Sequence, residues 1–539
     1  MELQLHCRGN SQTLGSAENS KLENAHFLFE GMDIRTLIDN QALLRDRHPF
    51  LIWEPFEGEA SSLSYVEFGL RVKRFAAGLQ ALGVGAGDRV IVHMNNCPEQ
   101  VIAWLGCAYA GAVPVTTNTA SSGEDIGYFA AHSHAVLGIS QLDLATLVLT
   151  EAPHLRAVYS TGERGMLIGG IRPFAEIDGD PATLVDRPHD PMAPFGIQYT
   201  SGTTSRPKAV LWTHANALWG ARESAAHEDL RPEDVQLVHL PLFHTNAQVY
   251  SVLASLWVGA TIVLQPKFSA SRFWPVSLKH GCTFTSVIPF VWNALKAQPI
   301  PTRNCYRNWG SPVCDPPHDP LFAIKSIGWW GMTETITHPI AGSAHRPDAP
   351  MSMGIPVSGY EVHVLDDGMR PVLPGEIGDL YVRGVPGVSL FLEYADDPQA
   401  TSSAYTDDGL FITGDRARLS ESGHIYFSDR SKDMMKCAGE NVAASEVERV
   451  IMETGKVTEV AVVAKPDAMR GQVPAAFVIP GPGSGDDLVA LILASCRKRL
   501  ATFKVPEDVR LVDALPRAAL NKVAKNLLRA LLEREAADR

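Results

Sequence analysis

A twelve-residue stretch, Tyr199 to Val210 with the sequence YTSGTTSRPKAV, restricts the fold of this chain more than any other feature. Five hydroxyl side chains surround Gly202, a Pro-Lys pair follows, and an apolar run beginning at Ala209 predicts a strand. Hydroxyls and backbone N–H groups in such a loop can donate to phosphate oxygens, because glycine lets the backbone approach a ligand closely. Lys208 adds a mobile positive charge. The alternative is a Ser/Thr-rich surface turn, which composition alone also allows.

The composition is that of a globular protein with more than one domain. The chain has 539 residues, of which 45% are hydrophobic and 20% are charged. The formal net charge of −13 gives no electrostatic support for a nucleic-acid partner or an anionic membrane surface. The eight cysteines include no CxxC pair, which favours reduced thiols in a cytoplasmic protein over disulfides or a zinc site.

Two stretches bear on targeting. The N-terminal residues up to Phe27 lack the basic segment and apolar core of a secretory signal. We therefore expect them to form a polar arm. The most apolar stretch, Val101 to Val115, is too short to span a bilayer and contains Pro114. We therefore expect no integral membrane association.

Helical and strand-like patterns alternate over the first half of the chain. Leu63 to Leu82 and Pro98 to Ala110 have helical spacing, while Arg89 to Met94 is strand-like, which predicts doubly wound α/β layers. The glycine-rich turn from Gly83 to Asp88 precedes its strand instead of following one, so it is a turn and not a dinucleotide fingerprint. A further buried strand is predicted over Val235 to Leu240.

The second half holds four more motifs. They are Gly328-Trp-Trp-Gly-Met-Thr-Glu-Thr335, Asp408-Gly-Leu-Phe-Ile-Thr-Gly-Asp415, the segment Asp429 to Asn441, and the segment Pro516 to Arg529. Between the first two, short alternating segments separated by Asp-Gly and Pro-Gly turns predict a small β-barrel.

Together, in this order, the loop at Tyr199 and the later motifs closely resemble those of the adenylate-forming superfamily, which includes acyl- and aryl-CoA synthetases, luciferases and amino-acid-activating domains. The order and spacing are most like carnitine-type or medium-chain acyl-CoA ligases. The resemblance implies a large N-terminal AMP-binding domain over 1–428, a hinge over 429–433 at which Lys432 lies, and a small mobile α+β domain over 434–539. Within the first domain it implies α/β subdomains over about 25–190 and 191–350 and the β-barrel over 351–428.

The resemblance also implies site residues and substrates. Lys522, Thr333, Glu334 and His244 take catalytic positions, and Glu334 would hold Mg²⁺. The nucleotide and CoA would be bound by Thr200, Ser201, Gly202, Thr203, Thr204, Lys208, Trp330, Asp415, Arg430, Lys436 and Gly439. Trp330 would stack on adenine, Asp415 would accept from the ribose hydroxyls, and Gly439 would let the pantetheine thiol approach.

This chain departs from the family pattern at several positions. Glycine is usual where the chain has Ser205, Ala209, Ala438 and Asn521, and threonine is usual where it has Ala518. The segment from Val287 to Gly328 is short and matches the family's adenine-side loop only at Gly310 and Pro312. The shape of the acid-binding pocket is therefore the property that transfers least.

The implied reaction is ATP-dependent formation of an acyl-AMP from a carboxylic acid, followed by acyl transfer to CoA with release of AMP and pyrophosphate. Four alternatives stay open at the sequence level: luciferase-like oxidation, amino-acid adenylation, transfer to a carrier protein, and a non-catalytic nucleotide-binding protein. The presence of Thr333, Glu334, Asp415, Arg430 and Lys522 weakens the last of these. A homodimer is compatible with the family, and the identity of the acid is not determined.

Overall fold

The computed structural model describes residues 28–162, 169–200, 207–430, 434–485, 487–516, 523 and 525–537. The polar N-terminal arm lies outside these ranges. The strands in chain order are β1 Pro49–Trp53, β2 Ser61–Ser64, β3 Arg89–His93, β4 Val113–Thr116, β5 Leu137–Gln141, β6 Val158–Thr161, β7 Ile171–Pro173, β8 Pro194–Thr200, β9 Lys208–Thr213, β10 Val235–Val238, β11 Thr261–Leu264, β12 Phe284–Ser286, β13 Asn308–Ser311, β14 Lys325–Trp330, β15 Ile340–Ala341, β16 Ile355–Pro356, β17 Glu361–Leu365, β18 Ile377–Arg383, β19 Glu393–Tyr394, β20 Phe411–Leu419, β21 Ile425–Arg430, β22 Met434–Cys437, β23 Glu440–Ala443, β24 Val457–Asp467, β25 Gly471–Pro480 and β26 Asp508–Leu511.

The α-helices are numbered in the same way. They are α1 Ile34–Leu44, α2 Tyr65–Ala81, α3 Pro98–Ala110, α4 Gly123–His132, α5 Leu142–Glu151, α6 His214–His227, α7 Ala254–Val258, α8 Ala270–His280, α9 Pro289–Lys296, α10 Asp319–Phe322, α11 Pro398–Ser402, α12 Ala444–Met452, α13 Leu488–Arg499 and α14 Lys525–Ala537. A π-helix, Asn246–Leu253, leads directly into α7. No helix in the described ranges is both long enough and apolar enough to cross a membrane.

Two large sheets form the body of the molecule. One has the order β19-β9-β8-β4-β3-β5-β6-β7, and the other has the order β16-β15-β14-β13-β12-β10-β11-β1-β2. The inner strands of both sheets pair in parallel. Helix α3 is buried on nearly all its faces, which explains why its sequence is apolar without a polar stripe. The predicted α/β architecture is confirmed.

The two sheets do not follow the predicted division of the chain near residue 190. Strands β1 and β2 join the sheet formed by later residues, because Leu51 to Trp53 pair in parallel with β11. Conversely, β8 and β9 join the sheet formed by earlier residues, because Val115 pairs with Ile197. Each sheet therefore combines distant parts of the chain, and the predicted subdomains over 25–190 and 191–350 need this correction.

The predicted β-barrel over 351–428 is instead an open antiparallel sheet. Its hydrogen-bonded order is β17-β18-β20-β21, with β17 and β21 at the two edges. Turns between short alternating strands are compatible with either arrangement, so the sequence pattern could not decide whether the outer strands meet.

The C-terminal part packs around its own core. Strands β23, β22, β25 and β24 form an antiparallel sheet, and β26 pairs in parallel with β25. Helices α12 and α13 cover it with buried residues such as Val447 and Ile492. The part is tied to the main body by Arg499, which pairs with Glu124 of α4 at 2.9 Å and also with Glu453 of its own unit.

Candidate active site

The predicted phosphate loop is the connection of a β-hairpin. Thr200 ends β8 and Lys208 begins β9, and these two residues are antiparallel partners. Ser201, Gly202, Thr203 and Thr204, together with Ser205, lie outside the described residues. Ala209, where the family has glycine, lies within β9 as the partner of Tyr199 and is buried. An extended strand position suits any residue, so alanine can replace the family's glycine here without backbone strain.

Lys208 and Glu334 are connected through Tyr394. The Nζ atom of Lys208 lies 4.3 Å from the centre of the Tyr394 ring. The hydroxyl of Tyr394 donates to Oε1 of Glu334 at 2.9 Å. Burial and the neighbouring Glu334 carboxylate both raise the pKa of Tyr394, so the hydroxyl stays protonated and acts as a donor. The base of the hairpin and the buried Glu334 therefore belong to one site.

Thr333 is held between the two large sheets. Its carbonyl oxygen accepts from Nε1 of Trp212 in β9 at 3.0 Å. Its hydroxyl lies 3.3 Å from that of Thr245, which donates to Oε1 of Gln198 in β8 at 2.9 Å. These contacts fix Thr333 beside the strands that carry the phosphate loop, at the carboxyl ends of β8 and β14, where ligands bind in open α/β sheets.

Three of the predicted nucleotide-binding residues lie together. Nε1 of Trp330 donates to Oδ2 of Asp415 at 2.9 Å, and both side chains are buried. Arg430 is the antiparallel partner of Asp415 between β21 and β20. The register therefore brings an aromatic ring, a carboxylate and an arginine position to one place, although they are far apart in sequence.

His244 reaches the C-terminal part of the chain. Its Nε2 lies 2.9 Å from Oε2 of Glu440, and Nδ2 of Asn118 donates to the same oxygen at 3.1 Å. Desolvation lowers the pKa of His244, but the Glu440 carboxylate outweighs it, so the pKa is raised. Desolvation raises the pKa of Glu440, but the attraction of His244 outweighs it, so the pKa of Glu440 is lowered. At pH values between the pKa of Glu440 and the pKa of His244, both side chains are therefore charged and form an ion pair. This ion pair is lost as the pH rises through the pKa of His244.

Gly439 sits at this junction in a conformation that favours glycine. Its φ is +89°, and a Cβ atom there would lie 2.8 Å from Cδ1 of Ile288. Ala438 is also left-handed, with φ of 53°, which disfavours alanine by about 1–2 kcal/mol. The preceding Lys436 has an exposed side chain, and its backbone N–H donates to Oε1 of Gln472 at 2.7 Å. The tight turn thus brings a backbone without a side chain against the main body.

Lys522, the predicted catalytic lysine, lies outside the described residues, as do Ala518, Asn521 and the hinge residue Lys432. Two residues of the site were missed from the sequence. Glu440 directly follows Gly439 in its motif, so it could have been considered. Tyr394 carries no such signal, because its place depends on the edge strand β19 pairing with β9.

Comparison with known proteins agrees with this geometry. The chain belongs to the AMP-binding enzyme family, whose model matches residues 38–394 and whose C-terminal domain model matches residues 446–522. A crotonobetaine/carnitine–CoA ligase from Salmonella enteritidis is 32% identical over 516 residues, covering 93% of this chain and 99% of that protein.

The fold is shared with solved structures of o-succinylbenzoate CoA synthetase from Bacillus subtilis. The structure of a double mutant bound with a product analogue has a TM-score of 0.79 at 24% identity, covering 92% of this chain and 98% of that one. The structure of the enzyme in complex with AMP covers the same shares at the same identity and has a TM-score of 0.64. These findings confirm the prediction of an AMP-forming acyl-CoA ligase of the adenylate-forming superfamily.

Proposed function

We propose that the residues joined by Tyr394 form the adenylation site of this ligase. The observation that carries the proposal is the linkage of Lys208, Tyr394 and Glu334 beside Thr333. This arrangement supplies a positive charge, a hydroxyl and a carboxylate at the end of the predicted phosphate loop. Such groups suit a nucleotide triphosphate whose α-phosphorus must be approached by a second anion.

A carboxylic acid must be activated before its acyl group can be transferred, because a carboxylate oxygen is a poor leaving group. An oxygen of the carboxylate attacks the α-phosphorus of ATP, the bond to the β-phosphate oxygen breaks, and pyrophosphate leaves. The CoA thiolate then attacks the carbonyl carbon of the acyl-AMP, and AMP leaves with the former carboxylate oxygen. Thr333, Lys208 and Lys522 would stabilise negative charge at phosphorus in the first step.

Glu334 fits the role of a Mg²⁺ ligand. The residue is buried, with 4% of its surface exposed, and the Tyr394 hydroxyl donates to one of its carboxylate oxygens. The described residues contain no group of three or more potential metal ligands. A single carboxylate completed by substrate phosphates and water is how Mg²⁺ binds in nucleotide sites. When bound, the ion would neutralise charge on the phosphates.

The arrangement of the C-terminal part suits the second half-reaction. The turn at Gly439 lies against Ile288, and the contact between His244 and Glu440 holds it there. The higher TM-score with the product-analogue complex than with the AMP complex supports this assignment. Rotation about Lys432 would exchange this turn for Lys522 in the first half-reaction.

The acid class is taken from the relatives. Several are crotonobetaine/carnitine–CoA ligases at 31–33% identity. Crotonobetaine and carnitine are short carboxylic acids that bear a quaternary ammonium group. We propose a short ammonium-bearing carboxylic acid as the substrate of this chain. The homodimer and the cytoplasmic location stay predictions.

The products test the proposed function. Incubation with ATP, Mg²⁺ and a panel of carboxylic acids should release equal amounts of AMP and pyrophosphate, with thioester formed only when CoA is present. Liquid chromatography of the nucleotides and the CoA adducts measures both. Formation of ADP and phosphate would contradict an acyl-AMP and indicate an acyl-phosphate instead.

A second prediction concerns Asp415. Asp415→Ala should raise the apparent KM for ATP by about tenfold to a hundredfold, because a hydrogen bond to a charged group contributes about 1.5–3 kcal/mol. Asp415→Asn is the control, since the amide oxygen can still accept from Nε1 of Trp330. If the alanine variant kept the normal KM for ATP, Asp415 would have only a structural role.

A further inference from the structure

Three polar side chains lie behind the adenylation site, and we refer to them as the His–Glu cluster: His227, Glu228 and His338. Glu228 and His338 have no measurable exposure, while His227 is half-buried with its Nδ1 atom buried. The rings of His227 and His338 are 5.8 Å apart. Glu228 interacts electrostatically with Tyr250, whose ring packs on that of His338. Within the described part of the chain, both carboxylate oxygens of Glu228, Nδ1 of His227 and Nε2 of His338 have no hydrogen-bond partner.

Aromatic rings connect the His–Glu cluster to the site. Tyr250 lies 3.9 Å from the His338 ring, and Trp329 stacks on that ring at 4.4 Å with an interplanar angle of 13°. Trp329 immediately precedes Trp330 in β14. A Cβ atom at Gly331 would lie 2.8 Å from the Tyr250 hydroxyl. Tyr250 therefore separates the cluster from the backbone that leads to Thr333 and Glu334.

The atoms of the cluster that lack a hydrogen-bond partner indicate that a ligand binds there. A buried polar group without a partner is destabilising, and such groups are rare in native proteins. Burial raises the pKa of Glu228 well above its ordinary value, which favours the uncharged form of its carboxyl group. Burial lowers the pKa of His227 to about 4 and also lowers that of His338, so both imidazoles are neutral. An uncharged carboxyl group at this depth could ionise beside a cation.

We infer that the His–Glu cluster and the rings of Tyr250 and Trp329 form the distal end of the acid-binding pocket and that Glu228 pairs there with a cationic group of the acid. This inference rests on the proposed function. Aromatic faces attract quaternary ammonium groups, and a carboxylate in a desolvated site adds charge complementarity. The neutral histidines add no competing positive charge. Glu228 would thus select a betaine-like acid over a neutral acid of the same shape.

A matched pair of acids and a matched pair of variants test the inference. The acids are γ-trimethylammonio-butanoate and its carbon isostere, in which a tert-butyl group replaces the trimethylammonium group. The variants are Glu228→Gln and the control Glu223→Gln, which makes the same change on helix α6 at a residue paired with Arg222. Release of pyrophosphate is measured to obtain kcat and KM for each acid.

The wild-type enzyme should prefer the cationic acid, and Glu228→Gln should reduce that preference by about tenfold or more, mainly through KM. The control should keep the preference. Tyr250→Leu, which removes an aromatic face, provides a second variant in which the preference should fall. Equal losses for both acids in Glu228→Gln, or a normal preference in both variants, would overturn the inference.

The same assay distinguishes this inference from the proposed function. If other acids release pyrophosphate but the cationic acid does not, the inference is wrong and the ligase function stands. If no acid in the panel releases pyrophosphate, both are wrong.

Discussion

Gly439→Leu is expected to slow the conversion of acyl-AMP to thioester by about a hundredfold, while acyl-AMP formation stays close to normal. A leucine side chain at a φ of +89° would meet Ile288 where the turn contacts the main body. Displacement of a positioned reactant by about 1 Å can reduce a rate by this factor. Single-turnover measurements of each half-reaction would show the selective loss.

Gly455→Leu is the matched control for this variant. Gly455 lies in the same part of the chain, has a φ of +69°, and would place a Cβ atom within 4 Å of no other group. It therefore imposes similar backbone strain without obstructing the junction. Slow thioester formation in both variants would attribute the effect to strain in the C-terminal part rather than to the path of the thiol.

Lys522→Ala should have the reciprocal effect. Acyl-AMP formation should fall by about 10²–10³-fold, because the lysine charge is needed most when two anions meet at phosphorus. Reaction of supplied acyl-AMP with CoA should continue nearly unchanged. Equal loss in both half-reactions for Lys522→Ala and Gly439→Leu would argue for one fixed site and against rotation of the C-terminal part.

Glu334→Gln is expected to lower pyrophosphate release by about 10²–10³-fold and to raise the Mg²⁺ concentration needed for half-maximal rate. The amide can still accept from the Tyr394 hydroxyl, but it carries no charge for a metal ion. Titration of the first half-reaction with Mg²⁺ measures both effects.

Glu393→Gln makes the same substitution at an exposed residue one position before Tyr394. It should leave the rate and the Mg²⁺ requirement unchanged. An unaltered Mg²⁺ dependence in Glu334→Gln would show that Glu334 supports Tyr394 and Lys208 without holding the ion.

Local elements were well predicted where short-range signals agree. Helix α3 begins at Pro98 and ends at Ala110 as expected, because proline suits the first helical position and Gly111 adopts a φ of 92° at the other end. Strand β3 begins at Arg89 as the continuous apolar run after it predicts. The residues Thr333, Trp330 and Asp415 could be chosen because each lies within a motif that resembles the family.

Long-range pairing was not available from the sequence. The return of β1 to β11 and the pairing of β19 with β9 depend on tertiary packing, so the sheet division and the role of Tyr394 could not be foreseen. The π-helix Asn246–Leu253 ahead of α7 could not be predicted either, since helical periodicity does not separate the two closely related forms. The unpaired Glu228 became visible only through burial.

The fate of the carboxylate oxygens tests the acyl-adenylate most directly. A substrate acid with both carboxylate oxygens isotopically labelled should transfer one labelled oxygen to AMP and retain the other in the thioester, because the attacking oxygen stays on the α-phosphorus. Mass spectrometry of AMP measures the transfer. Unlabelled AMP, with the label recovered in inorganic phosphate, would contradict attack at the α-phosphorus and the adenylation site proposed around Glu334 and Thr333.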